Sequence, residues 1–199
     1  MRNSDRAEFI AVSSSKIITK RPTNVSHNQA ATLLVGPMTA LQLLRNINID
    51  KHDKVMIYGA SGSVGSFAIQ IAKNHGATVT GVCSSSNFEM VKSLGADLVV
   101  DYRSQEFIEH NEKYDLVFDA VGKLSRKDKK RFLGEGGDSG STWGTTKESV
   151  ASLNEIRDLV EANKLKTFID RTYSLDESIE AYKYVKSWRK KGNVVIQII

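Results

Sequence analysis

The chain has 199 residues, and its 28 lysines and arginines against 23 aspartates and glutamates give a formal net charge of +5. Hydrophobic residues make up 40% and charged residues 26%, a globular composition that excludes a disordered or collagen-like chain. The single cysteine, Cys83, excludes a disulfide scaffold and any zinc site built on two or more cysteines of this chain.

Residues 26–45 come before the first predicted strand and indicate one or two helices, with Pro37 at a break or a helix start. Residues 1–25 are irregular, with a lone strand at 9–12 at most. From residue 54 onward, short apolar or β-branched runs alternate with apolar residues at helical spacing. They predict strands at 54–59, 77–83, 97–102 and 114–122, and helices at 63–76, 86–96 and 104–110.

Strand–helix alternation at this spacing requires parallel pairing through right-handed crossovers. The fold class is therefore α/β: a doubly wound, Rossmann-type, mostly parallel sheet with helices on both faces. Toward the C-terminus the pattern predicts a helix at 149–165, a strand at 167–173, a helix ending at Gly192 and a buried closing strand at 193–199.

Residues 134–146 interrupt this alternation, with five glycines and no large hydrophobic residue except Trp143. A fifth buried strand is expected here, and the composition does not supply one. The segment is either a flexible linker or the trace of a missing piece, and the sequence leaves both open.

The most informative stretch is the glycine turn, residues 59–65, which follows a strand and opens a helix. Its pattern is A-x-G-x-x-G, with Ala60 in place of the first glycine of a dinucleotide fingerprint. Gly62 would let the backbone approach a pyrophosphate, and Gly65 would let the helix pack closely on the strand. A glycine turn chosen for packing alone is the alternative.

The end of the second predicted strand bears on the choice between nicotinamide cofactors. An NAD-preferring site normally has an acidic residue there for the ribose hydroxyls. Here Ser84, Ser85, Ser86 and Asn87 follow Cys83, and no carboxylate appears until Glu89. Hydroxyl donors without negative charge favour NADP, with NAD the less favoured choice, although serines after a strand are also ordinary helix caps.

Location and macromolecular partners follow from weaker signals. No apolar run approaches the roughly 18 residues of a membrane helix, and the N-terminus lacks a signal-peptide core, so we expect a cytoplasmic protein without a membrane anchor. Six cations between Lys123 and Arg131 form the densest basic cluster. Without interleaved aromatic residues they indicate a solvated helix face, so nucleic acid is a weak second choice and would show as salt-sensitive binding.

Several ordered motifs, YGASGSVGSFAIQIAK, SLGADLVVDY, YDLVFDAVG and KGNVVI, resemble the cofactor-binding domain of zinc-independent medium-chain dehydrogenases/reductases, in particular the quinone oxidoreductase group. The resemblance implies a tail of a GroES-like catalytic domain at 1–25 and a dinucleotide-binding domain at 26–199, shortened or interrupted near 134–146. It also implies hydride transfer from NADPH to an enone, a quinone or a similar activated carbonyl compound, with no metal.

The resemblance also places the cofactor contacts. The pyrophosphate turn would be Ala60, Ser61, Gly62, Ser63, Val64 and Gly65. Ser84, Ser85 and Asn87 would meet the 2′-phosphate, although relatives often have a basic residue at or near Asn87. Tyr102 would lie by the adenine ribose, and Val121 and Gly122 near the nicotinamide. Thr39 would border the cleft.

Two departures limit what the resemblance implies for activity. About a hundred N-terminal residues that carry most substrate contacts in the family have no counterpart here, so no catalytic side chain is assigned. The altered region near 134–146 builds the dimer edge in relatives, which leaves a homodimer open. The alternative function is a non-catalytic nucleotide-binding scaffold or sensor. A methyltransferase-type site is disfavoured, because Gly65 and its helix suit a pyrophosphate better.

Overall fold

The computed structural model describes residues 13, 16–50, 53–142 and 148–198. A 3₁₀ turn spans Ser85–Asn87. In chain order the helices and strands are α1 (His27–Ala30), α2 (Val35–Asn46), β1 (Lys54–Tyr58), α3 (Ser63–Asn74), β2 (Thr78–Cys83), α4 (Phe88–Ser93), β3 (Leu98–Asp101), α5 (Gln105–Glu109), β4 (Tyr114–Asp119), α6 (Arg126–Phe132), β5 (Leu133–Ser141), α7 (Val150–Glu161), β6 (Ile169–Ser174), α8 (Ser178–Lys186) and β7 (Asn193–Gln197).

Five strands form one parallel sheet in the order β3-β2-β1-β4-β5. The chain winds outward from β1 through β2 to β3, and then crosses back to the other side of β1 to add β4 and β5. The predicted doubly wound, parallel fold is therefore confirmed. The winding reverses between β1 and β4, and in such sheets ligands bind at the carboxyl ends of the strands beside that reversal.

Side chains alternate across the sheet, so each face has its own apolar cluster. Val55 and Ile57 point to a large cluster shared with α2, α3 and α7, in which Phe67 is fully buried. Met56 belongs to a smaller cluster on the opposite face, closed by Phe132 of α6 with α5 beside it. Helices on both faces are therefore confirmed, and burial of each large apolar side chain contributes about 1.5–3 kcal/mol.

The glycine-rich segment contains a strand, so the expectation that its composition supplies none is wrong. Leu133–Ser141 pairs with β4, with Leu116 opposite Asp138 and Phe118 opposite Gly140. Ladder hydrogen bonds come from the backbone, which glycine supplies as well as any other residue. The register shifts between Tyr114 and Leu116, where β5 has extra residues relative to β4. Trp143 and residues 144–146 lie outside the described residues.

Three further features differ from expectation. Strand β4 ends at Asp119 and not at 122, because the following backbone turns back onto the Asp119 carboxylate. Helix α8 ends at Lys186, well before Gly192; the Ser187 hydroxyl donates to the carbonyl oxygen of Tyr184 at its end. The closing strand is only half-buried, and it pairs with β6 in a separate two-stranded parallel sheet.

The described N-terminal residues run without regular structure along α7. The Thr19 hydroxyl donates to the Asn154 side chain at 2.5 Å, and the Asn24 amide donates to the carbonyl oxygen of Val160 at 2.9 Å. The lone strand suggested at 9–12 lies outside the described residues. No helix in the described ranges combines the length and apolarity that a membrane crossing needs.

Candidate functional site

The glycine turn connects β1 to α3 at the reversal point of the sheet. The N–H groups of Gly59 and Ala60 both donate to the carbonyl oxygen of Val82, at 2.9 and 3.1 Å, which fastens the turn to β2. The N–H of Gly62 donates to the carbonyl oxygen of Gly59 at 3.0 Å, and Gly62 is the N-cap of α3. The turn is therefore held in one conformation by its own backbone.

The three glycines of the turn have different physical roles. Gly59 has φ +79°, which side-chain-bearing residues rarely adopt, and Val121 packs directly over it. At Gly65 a Cβ would lie 2.2 Å from the carbonyl oxygen of Gly59, so only glycine fits between helix and turn. At Gly62 the nearest protein atom to a Cβ is 3.4 Å away. The protein therefore does not itself require glycine at position 62, and the space there is available to a ligand.

The start of α3 provides the electrostatic complement to an anion. The first N–H groups of a helix have no partner within it, and they carry the positive end of the helix dipole. The first turn of this 12-residue helix contains no acidic residue. Its N-cap residue is Gly62, so no N-cap side chain accepts a hydrogen bond from the first N–H groups. The uncapped N-terminus of α3 and the unobstructed Cβ position of Gly62 together fit a pyrophosphate.

Beside the turn, the segment after β2 gathers the residues expected to contact adenosine. The Asn87 amide donates to the Ser61 hydroxyl at 3.0 Å, which ties this segment to the glycine turn. Ser84 begins the 3₁₀ turn that contains Ser85, and Tyr102 is 43% exposed at the end of β3. The fold therefore brings these five predicted residues together at the carboxyl ends of β1, β2 and β3.

Arg103 and Asp101 lie in the same cluster and were missed in the sequence. The Arg103 guanidinium donates from Nε and Nη2 to the Asp101 carboxylate, and Nη2 also donates to the Ser84 hydroxyl at 2.7 Å. Arg103 and the N–H of Ser85 hold the pKa of Asp101 well below its usual range. The available signal was a basic residue two positions after an acidic strand end, in the sequence Asp101-Tyr102-Arg103.

The segment before β7 forms the other wall of the turn. The N–H of Gly192 donates to the carbonyl oxygen of Ser61 at 2.7 Å, and the Ser63 hydroxyl donates to the Asn193 side chain at 2.6 Å. Lys191 reaches the carbonyl oxygen of Ser86, with its Nζ at 3.4 Å. This segment is more than 100 residues from the turn in sequence, so no local pattern indicated the contact.

At the carboxyl end of β4, Asp119 organises the next loop. Its carboxylate is fully buried and accepts from the N–H groups of Gly122 at 2.7 Å and Leu124 at 2.9 Å, with Val121 and Lys123 somewhat farther. Lys129 Nζ lies 3.7 Å from the same carboxylate. Asp119 therefore fixes the loop that carries Val121 and Gly122, and this loop packs on the glycine turn.

Other predicted contact residues are less accessible. Ala60 is fully buried beneath the turn, and Thr39 of α2 is 9% exposed. Val64 is partly buried and packs against the main core cluster. These positions support the shape of the turn, and their contacts with a cofactor stay predictions.

The remaining chemistry of the described part is sparse. Within residues 13, 16–50, 53–142 and 148–198, no three His, Cys, Asp or Glu side chains gather in a way that could hold a metal ion. Most of the basic cluster lies on α6, where Arg126, Lys127 and Lys130 are exposed. Arg131 instead donates to the carbonyl oxygen of Phe107 at 2.9 Å.

Comparisons with known proteins agree with this geometry. Two family models, both described as zinc-binding dehydrogenase, match residues 63–159 and 124–196. The chain is 32% identical to 2-methylene-furan-3-one reductase of Solanum lycopersicum over 206 residues, covering 97% of the chain and 52% of that protein. It is 31% identical to the chloroplast envelope quinone oxidoreductase homolog of Arabidopsis thaliana, covering 96% of the chain and 68% of that protein.

A solved structure gives the same result for the fold. The quinone oxidoreductase from Coxiella burnetii superimposes with a TM-score of 0.83 at 25% identity, over 91% of this chain and 64% of that one. The chain spans about half to two thirds of the length of the curated relatives it matches.

Proposed function

The chain belongs to the medium-chain dehydrogenase/reductase family matched by the zinc-binding dehydrogenase models, in its quinone oxidoreductase-like branch, and we propose that it is the NADPH-binding part of a reductase. The family is one of NAD(P)H-dependent oxidoreductases. The observation that carries the proposal is Gly62, because the protein leaves space there at the bare N-terminus of α3. We propose residues 26–199 as the dinucleotide-binding domain and 1–25 as the tail of a catalytic domain.

In this proposal the chain's residues bind and orient the cofactor. The backbone of the glycine turn and the first turn of α3 bind the pyrophosphate. Ser84, Ser85, Asn87 and Tyr102 border the adenosine half. Asp119 holds the loop with Val121 and Gly122 rigidly beside the turn, where the nicotinamide half would extend across the reversal point.

NADPH is proposed over NADH from the chemistry of the adenosine pocket. Asn87 presents an amide, and the serines after Cys83 present hydroxyl groups, all without negative charge. The nearest carboxylate, Asp101, is already paired with Arg103. A 2′-phosphate would therefore meet hydrogen-bond donors and no unpaired carboxylate on this segment.

The proposed acceptor is an activated alkene or carbonyl compound. When bound, the nicotinamide supplies the hydride, so the protein needs no nucleophile of its own. The relatives named for a furanone and for quinones support this class of acceptor. The whole reaction belongs to a longer protein in these relatives, so the chain is proposed as the cofactor half of that activity.

Assembly and location remain proposals of the same kind. Strand β5 lies at one edge of the sheet, where its outer backbone groups offer a pairing edge to a second copy of the chain. A homodimer is therefore proposed and is measurable by sedimentation. A cytoplasmic location is proposed because the single unpaired cysteine, Cys83, suits a reducing compartment, while relatives are named for mitochondria and for the chloroplast envelope.

An acceptor-reduction assay tests the enzymatic part. Purified chain with NADPH is mixed with a simple enone and, separately, a benzoquinone, and loss of the reduced-nicotinamide absorbance is followed. Protein-dependent reduction of either acceptor supports the reductase. Cofactor binding without any reduction would restrict this chain to nucleotide binding, which is the role of a non-catalytic scaffold.

A further inference from the structure

We propose that Arg103, with Lys191 beside it, is the cation that selects the 2′-phosphate of NADPH at this site; this rests on the function proposed above. Position 87, where a basic residue would be expected from the resemblance, holds a neutral asparagine. The fold brings two cations to the same place from other elements. One follows β3, and the other precedes β7.

The Arg103 side chain is held in place by hydrogen bonds to Asp101 and Ser84. Its Nε and Nη2 donate to both oxygens of Asp101, and Nη2 also reaches the Ser84 hydroxyl at 2.7 Å. The guanidinium carbon lies 5.3 Å from the centre of the Tyr102 ring. A guanidinium has five N–H donors, so the two on Nη1 are left for a ligand among the described contacts.

Lys191 approaches the same segment from the C-terminal part of the chain. Its Nζ lies 3.4 Å from the carbonyl oxygen of Ser86, and the Ser84 and Ser86 hydroxyls are 3.2 Å apart. Its backbone N–H is fixed by Asp170 at 3.0 Å. Both cations therefore lie against one short segment, Ser84–Ser86.

The charge balance explains selection between the two dinucleotides. Arg103 and Lys191 contribute two positive charges, and Asp101 offsets one of them. The 2′-phosphate is the only group that distinguishes NADPH from NADH, and arginine recognises phosphate through paired N–H donors. Asp101 is a positioning residue here, because it orients the guanidinium before any ligand arrives.

The test is calorimetric titration of the full-length chain with NADPH and NADH, using Arg103→Ala, Arg103→Lys, Lys191→Ala and the control Lys92→Ala. Lys92 is an exposed cation near the end of α4, so its removal matches the change in net charge. We expect Arg103→Ala to weaken NADPH about tenfold to a hundredfold and leave NADH within twofold. Arg103→Lys keeps the positive charge but lacks the paired N–H donors of a guanidinium, so its loss of NADPH affinity should be smaller than that of Arg103→Ala.

Salt dependence gives a second readout that a structural role would not change. NADPH affinity should fall more steeply with added salt in the wild-type chain than in Arg103→Ala or Lys191→Ala. If Arg103→Ala keeps the wild-type preference for NADPH, the selection inference is wrong and the proposed function stands. If the wild-type chain binds both dinucleotides without preference, the selection inference and the proposed preference for NADPH are both wrong, and the proposed dinucleotide site stands. If the wild-type chain binds neither dinucleotide, both are wrong.

Discussion

Replacing Gly62 and Gly65 separately by alanine distinguishes the ligand-facing glycine from the packing glycine. At Gly65 the new Cβ would lie 2.2 Å from the carbonyl oxygen of Gly59 and 2.8 Å from the Cα of Ala60. Both contacts are to backbone, so α3 would have to move by roughly 1 Å, at a cost of about 1–3 kcal/mol. At Gly62 the backbone is extended and the nearest atom is 3.4 Å away. Gly62→Ala should therefore change stability by about 1 kcal/mol or less.

For cofactor binding, Gly62→Ala should have the larger effect and Gly65→Ala the smaller one. The methyl group of Gly62→Ala would occupy the space proposed for the pyrophosphate, so NADPH should bind at least about tenfold more weakly to a fully stable protein. Thermal unfolding measures the first effect, with about 2–4 °C expected per kcal/mol for a chain of this size. Calorimetric titration measures the second. A Gly62→Ala protein that binds NADPH normally would refute the assignment of the turn as the phosphate site.

Two further predictions concern buried acidic groups. Asp119→Ala removes the short hydrogen bonds from the N–H groups of Gly122 and Leu124, and it should lower the free energy of unfolding by roughly 3–6 kcal/mol. Asp119→Asn should have an intermediate effect because one acceptor oxygen remains. A loss under about 1 kcal/mol in urea unfolding of Asp119→Ala would contradict this. Burial, and secondarily the Asp101 carboxylate, raises the pKa of the Cys83 thiol to about 12 from an ordinary value near 9. Cys83 should therefore resist a thiol reagent at neutral pH until the chain is unfolded, and rapid labelling of the folded chain would contradict this. The contribution of the Cys83 thiol to the free energy of unfolding should decline as pH rises from about 9 to 12.

The sequence predicted the central part of the fold well because its signals are local. Buried parallel strands give short apolar runs, and a glycine-rich stretch directly after a strand indicates the turn into the next helix. Of the apolar residues spaced for one face of α3, Phe67, Ala68, Ile71 and Ala72 are buried and Val64 is partly buried.

Three features had no local signal. Strand β5 is held by backbone hydrogen bonds to β4 and has almost no apolar side chain of its own, so composition could not indicate it. The sequence predicts a strand that continues after Asp119 to residue 122. The hydropathy of these residues does not indicate that the Asp119 carboxylate binds the following N–H groups and so ends the strand. Arg103 and Lys191 meet at Ser84–Ser86 only through the tertiary fold.

The most direct test of the central claim is calorimetric titration of the purified full-length chain with NADPH and NADH. We expect saturable binding of NADPH, weaker binding of NADH and, in Gly62→Ala, NADPH binding weakened at least about tenfold. Failure of the wild-type chain to bind either dinucleotide would contradict the assignment of the glycine turn as a cofactor site.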